Sequence, residues 1–226
     1  MEERGLFAAE PGRIGTDESG KGDFFGPLVV AAFFMPEGQE GALRELGVKD
    51  SKRMSDARCR EVADVLKRGY VHSVVTIGPE KYNELYDKLR NLNRILAWGH
   101  ARAIENVLER VPAGQAVTDQ FGDERFVRDA LLKKGRTIAL VQMPRAEEDP
   151  AVAAASILAR AEFLMRLHFL SRATGAELPK GASALVEAAA AKLVREKGPG
   201  ILDKVAKTHF KTTARVLGLA GVNKLV

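Results

Sequence analysis

Apolar positions along this chain fall into short blocks and longer stripes of helical period, and the two patterns set the expected elements. "RIGTDE" and "FGPLVVAAFFM" are apolar runs around a glycine-rich turn, which predicts a hairpin with "LVVAAFF" as a buried strand. Ser55 is an N-cap candidate ahead of Val62, Val65 and Leu66, and Gly69 closes that stripe, so a helix is expected over 55–69. "YVHSVVTIG" reads as a strand. Helical periodicity then runs through "EKYNELYDKLRNLNRILAWGHARAIENVLERV", with a break near Asn91 to Asn93 and an end before Pro112. A short strand "QAVTDQFG", a helix "RFVRDALLKKG" and a strand "TIALVQM" follow. "AVAAASILARAEFLMRLHFLSRAT" is a long Ala-rich helix closing at Gly175.

Strands and helices thus alternate over 13–175, which predicts an α/β core, a sheet with helices packed against it. "ALVEAAAAKLVREKG" and "PGILDKVAKTHF" read as helical with no further strand. Residues 176–226 are therefore expected to be a helical appendage packed on the core, and residues 1–12 a leader. At 226 residues, 46% hydrophobic and 29% charged, the composition suits one large domain or two small ones. No apolar run approaches the roughly 18 residues of a membrane span. "MEERGLF" lacks the apolar core of a signal peptide, so a cytoplasmic monomer is the expectation. The lone Cys59 can form no internal disulfide and has no thiol partner for zinc; it reads as a buried helical thiol. A net charge of +5 suits a polyanionic partner without requiring one.

The chemistry concentrates in "IGTDESGKGDFFGP", Ile14 to Pro27. Gly15, Gly20 and Lys21 have the spacing of a phosphate-binding P-loop, but Gly22 stands where that loop needs Ser or Thr for magnesium. Asp17 and Glu18 would also oppose a triphosphate by charge. Adjacent acids at a strand end suit a hard divalent cation better. Neighbouring side chains on a regular strand point to opposite faces, which Gly20 and Gly22 could relieve by letting the chain twist. Two acids beside a glycine turn are commonly only solvated, so the reading depends on further acids converging. Asp119 ends "AVTD", and Glu147, Glu148 and Asp149 precede an apolar helix, where the helix dipole alone would also favour acids. Four such carboxylates would hold two ions about 3.5–4 Å apart, one activating water and one steadying the leaving oxygen of a phosphodiester.

"GTDESGKGDFFGP" resembles the opening signature of type 2 ribonucleases H. Its "GKGDFFGP" is similar to the ribonuclease HIII branch rather than HII, where an Arg usually stands between the two glycines. "VKDSKRMSD", "NLNRILAWGHARAIENVL", "AEEDPAVAAASILAR", "LPKGAS" and "KTHF" resemble further segments of that family, in order, from about Arg13 to the end. The resemblance implies a ribonuclease H-like mixed central sheet flanked by helices. It implies an endonuclease that cuts the RNA strand of RNA–DNA hybrids with Mg²⁺ or Mn²⁺, leaving 5′-phosphate and 3′-hydroxyl ends. By this resemblance Asp17, Glu18 and Asp119 match the first three catalytic, metal-holding acids. Glu147 follows Ala146 as the family's "AE" pattern has it and is chosen as the fourth, with Glu148 then Asp149 as substitutes.

The resemblance also assigns Gly20, Lys21 and Gly22 to a substrate loop, whose bare backbone suits a phosphate or a ribose 2′-hydroxyl. Ser51 and Lys52 match a segment contacting the nucleic-acid backbone; Asn91, Asn93, Ser156 and Lys180 complete the substrate-binding set. Plainer roles stay open. Asn91 and Asn93 could simply separate two helices, and Ser156 could be small for close packing. Lys180, Lys207, His209 and Lys211 are read as contacts to the DNA strand, with a solvated basic face as the plainer alternative; His100 and His209 could assist product release, although His100 is rather expected to pack on its helix. Ribonucleases HIII commonly carry an N-terminal domain similar to the TATA-binding protein. Only about a dozen residues precede the first strand here, so a truncated chain or a protein lacking that extension is expected. The alternatives are a ribonuclease HII that cuts at single ribonucleotides in duplex DNA, a P-loop NTPase, and an inactive nucleic-acid-binding module.

Overall fold

Residues 12–48, 51, 54–119, 124–131 and 134–222 are described by a computed structural model of the protein. The glycine-rich turn predicted from the sequence joins β1 (Gly12–Ser19) to β2 (Leu28–Pro36). β2 is buried at every position up to Pro36, which is why it reads as an unbroken apolar run. With β3 (His72–Ile77), β4 (Gln115–Asp119) and β5 (Ala139–Met143) these strands form one sheet in the order β3-β2-β1-β4-β5. β1, β4 and β5 run parallel. β1 and β2 are neighbours joined by too short a connection for a parallel crossover, so the sheet is mixed. The mixed sheet flanked by helices is the architecture expected from the sequence.

The helices are α1 (Glu40–Glu45), α2 (Asp56–Gly69), α3 (Pro79–Leu89), α4 (Leu92–Leu108), α5 (Glu124–Ala130), α6 (Pro150–Thr174), α7 (Ala184–Lys197), α8 (Ile201–Val205) and α9 (Lys211–Leu219). Ser55 caps α2 as expected, its hydroxyl accepting from the Arg58 amide at 3.2 Å. The break between α3 and α4 falls at Arg90, which adopts a left-handed conformation (φ 49°). No helix among the described residues is long and apolar enough to cross a membrane.

The chain divides into two compact units of interleaved segments. The first holds the chain up to Glu18, Val30–Val75 and Asn93–Ala161; the second holds Ser19–Val29, Thr76–Leu92 and the chain from Glu162. In the first unit α4 packs on one face of the sheet, where Ala101, Ile104 and Val107 meet Ile14, Val30, Ala32 and Ala116. The start of α6 lies on the other face, with Val152 against Val117 and the buried Ala146. It comes so close that a β-carbon on Gly15 would overlap the backbone of Ala151 and Val152. Cys59 is buried, its thiol 3.5 Å from the Ile157 carbonyl, as its helical setting predicts.

In the second unit the loop 20–27 is tied to the C-terminal segments. Phe24 N donates to Gly181 O, Gly26 N to Val205 O and Lys207 N to Phe24 O, each at 2.8 Å. These tertiary bonds end α8 at Val205 and place Ala206 in a bridge to Phe25, so the helix expected through "KTHF" stops early and α9 follows as a separate helix. Lys207 is also not on a solvated face. It is fully buried, its Nζ donating to the Gly26 carbonyl at 2.7 Å and lying 5.8 Å from the centre of the Tyr82 ring.

Burial lowers the Lys207 ammonium from 10.5 to about 7, with Asp23 acting in the opposite sense. The unfolded chain then holds this proton up to pH 10.5 while the folded chain releases it near 7. Stability therefore rises as pH climbs between those values, by about 1.4 kcal/mol per unit. Thermal unfolding compared at neutral and alkaline pH is expected to show this rise in the wild type and not in Lys207→Met. Parallel curves would refute it.

Candidate active site

Asp17 and Asp119 come together through strand register. β1 pairs with β4 at Ile14 with Ala116, Gly15 with Val117 and Thr16 with Thr118. One step further along both strands, just past the last paired residues, are Asp17 and Asp119, so the register brings the two acids to adjacent positions at the strand ends. They sit at the carboxyl ends of parallel strands, where open α/β sheets place their ligand crevices.

Alternation along β1 explains where each acid turns. Ile14 belongs to the cluster under α4, and Thr16 bonds to His100 of α4, whereas Gly15 faces the start of α6. Asp17 continues the α6 side and is hydrogen-bonded to Ser156 of that helix; its Oδ1 also accepts from the Glu18 amide at 2.8 Å. Glu18 continues the α4 side, its Oε2 lying 3.2 Å from His100 Nε2. The strand runs on through Ser19, and because Asp17 meets α6 while Glu18 meets α4, the two acids are not turned to one face. Among the described residues no three His, Cys, Asp or Glu side chains gather closely enough to hold a metal ion. Burial, and after it the charge of Glu18, raise the Asp17 carboxyl from 3.8 to about 6. The bonds from Ser156 and the Glu18 amide, and the nearby His100, pull the other way.

The acidic triplet divides by role. Asp149 accepts from Arg13 Nε at 2.7 Å, and its Oδ1 takes the Ala151 amide at 2.8 Å, so it anchors β1 and caps α6. Glu147 and Glu148 lie on a single 3₁₀ turn, Ala146–Glu148, seated beside β4 by Ala146. Glu147 is partly buried and Glu148 exposed.

Ser51 and Ser156, expected to touch substrate, are buried (4% and 8% exposed) and bonded to each other at 2.7 Å. Arg160 of α6 holds this segment, donating to the carbonyls of Ser51 and Met54 and to Asp56. Asp17, Glu18, Asp119, Ser51 and Ser156 all lie in the first unit, as does the Glu147 turn beside β4. Asn93 is partly buried in the same unit. In the second unit Gly20 (φ 87°) has room for no side chain, since a β-carbon would overlap the Pro27 carbonyl and meet Phe163 at 2.9 Å. Gly22 is exposed with open space around it, Lys21 and Asn91 are partly buried, and Lys180 is exposed. Lys52 lies outside the described residues.

Packing on its helix, or a part in product release, is what the sequence leads one to expect of His100; its contacts to β1 are not foreseen. It is fully buried, and Nδ1 lies 2.9 Å from Thr16 Oγ1. The available signal is its place in the apolar stretch "RILAWGHARAI", where an imidazole needs a polar partner.

Comparison with known proteins places this arrangement. The chain belongs to the ribonuclease HII family of ribonucleases H, whose family model, "Ribonuclease HII", matches residues 14–213. Within that family its relatives are ribonucleases HIII, as "GKGDFFGP" suggests. The ribonuclease HIII of Protochlamydia amoebophila (strain UWE25) is 45% identical over 208 residues, covering 92% of this chain and 69% of that protein. That of Chlamydia muridarum (strain MoPn / Nigg) is 46% identical over 210 residues, covering 91% and 69%. The crystal structure of Bst-RNase HIII in complex with Mn²⁺ matches with a TM-score of 0.86 at 33% identity, over 95% of this chain and 72% of that one. The ribonuclease H2 from Pyrococcus horikoshii OT3 shares the fold, with a TM-score of 0.78 at 20% identity over 94% of this chain and all of that one.

Proposed function

We propose that this ribonuclease H is an endonuclease that hydrolyses the RNA strand of RNA–DNA hybrids, leaving 5′-phosphate and 3′-hydroxyl ends. In this reading Asp17, Glu18, Asp119 and Glu147 hold two divalent ions, Mg²⁺ or Mn²⁺. The observation that carries it is the register that sets Asp17 beside Asp119, in a chain of this family. The donor set fits the ions. Carboxylate oxygens are hard ligands, and a divalent charge relieves the burial and like-charge repulsion that resist ionisation of Asp17. When bound, such ions supply an activated water and stabilise the leaving 3′-oxygen.

The chain's own residues supply position. Ser156, braced by Ser51, holds the Asp17 carboxylate, so both serines act through Asp17 rather than on nucleic acid. Of the acidic triplet, Asp149 is committed to Arg13 and the α6 amides, which leaves Glu147 and Glu148, and Glu147, the partly buried one, is taken as the fourth acid. Gly20 permits the tight turn, and the bare backbone at Gly22 can approach a ribose 2′-hydroxyl, the group that separates RNA from DNA. Lys21, Lys52, Asn91, Asn93 and Lys180 complete the proposed contacts to the hybrid.

The test offers a continuous hybrid and a DNA duplex with one embedded ribonucleotide, in Mg²⁺ and in Mn²⁺, and maps the ends. Cuts spread along the RNA strand of the continuous hybrid are expected. Cleavage confined to the single ribonucleotide would support the HII-type reading instead. Hybrid binding with no cleavage in either ion would leave only a binding module.

A further inference from the structure

His100 occupies a position that neither helix packing nor the set of acids accounts for. It lies fully buried on the face of α4 turned to the sheet. The preceding Gly99 lets α4 approach, since a β-carbon there would stand 2.8 Å from Val30 Cγ2. That approach brings the imidazole against β1, where it spans two side chains on the same face of the strand, Thr16 and Glu18. An ionised Glu18 can only accept, so Nε2 carries the proton and donates to Oε2. With the proton on Nε2, Nδ1 is left to accept from the Thr16 hydroxyl, which can donate or accept and so follows the tautomer that the carboxylate selects. Asp17 faces the other side of the strand, where its carboxylate accepts from the Glu18 amide rather than meeting the Glu18 side chain.

We propose that His100 is a positioning residue that fixes the Glu18 carboxylate for cation binding, with Thr16 bracing the ring through its other nitrogen. The proposal rests on the reading of Glu18 as a cation-holding acid. Partners that orient metal-ligating groups are typically worth 10–100-fold in metal affinity or activity.

Wild type, His100→Ala, His100→Gln and Thr16→Val are compared in two measurements. One is Mn²⁺ binding to the protein alone, by titration calorimetry. The other is cleavage of a continuous hybrid across a range of Mg²⁺ concentrations. His100→Ala is expected to weaken Mn²⁺ binding about 10–100-fold and to raise the Mg²⁺ needed for half-maximal cleavage in proportion, with the KM for hybrid at saturating Mg²⁺ little changed. His100→Gln keeps an N–H donor on that side chain and recovers most of the loss, whereas Thr16→Val shifts the cation requirement the same way by less. A purely structural role predicts a lower melting temperature for the Ala and Gln variants alike, with unchanged cation affinity in the folded protein, and that result overturns the proposal. If the wild type itself neither binds Mn²⁺ nor cuts hybrid, the cation-site reading fails and takes this inference with it. If the wild type binds Mn²⁺ and His100→Ala binds it equally well, this inference alone is lost.

Discussion

Asp17→Asn is expected to abolish hybrid cleavage, by at least about 10³-fold, and to make the metal-free protein more stable. Both effects have one origin. Asp17 is held in a site that resists its ionisation, with burial first and the Glu18 charge second raising its carboxyl to about 6. Below pH 3.8 the group is neutral in the folded and unfolded chains alike. Between 3.8 and about 6 the unfolded chain has released its proton and the folded chain has not, so stability falls as pH rises. The accumulated cost, about 3 kcal/mol, persists at neutral pH. Asparagine keeps the shape and can still accept from the Glu18 amide, but it never ionises. Thermal unfolding in a chelator at pH 8 should therefore place the variant above the wild type, with the gap shrinking as pH drops from 6 toward 4. Adding Mg²⁺ or Mn²⁺ should raise only the wild type, because ligand binding stabilises only a folded state that binds it. Equal melting temperatures at pH 8, or wild-type turnover by the variant, would remove Asp17 from the centre of this site.

Gly15→Ala should lose about 3 kcal/mol or more of stability, although it adds a single methyl group to a buried strand. The added β-carbon meets the backbone at Ala151 and Val152, and a backbone cannot step aside as a flexible side chain can. β1 and α6 would have to separate, moving Ser156 away from Asp17. Urea unfolding reads the loss directly; an unchanged midpoint would show that strand and helix are not in such close contact.

Much of the fold is legible in the sequence because burial leaves a periodic trace. The unbroken apolar run of β2, the Ser55 cap and the halt around Asn91 each follow from local rules that no distant segment overrides. The segment 201–210 is misread for the opposite reason. Its pattern is helical, but the amide of Lys207 and the carbonyl of Val205 are claimed by the loop 20–27. Lys207 is misread in the same way, because a lysine in sequence carries no mark of being buried against the carbonyls of Phe25 and Gly26.

The kinds of donor at the site, acids beside a glycine-rich turn and at a second strand end, are determined by the sequence alone. Which distant groups meet them is decided only in three dimensions. Asp119 reaches Asp17 through the β1–β4 register, Asp149 is withdrawn by Arg13, and Glu18 is met by His100. The physical reason is that periodicity reports how each residue is buried relative to its own element. A partner a hundred residues away is chosen by how elements pack and align, and that choice leaves no local pattern to read.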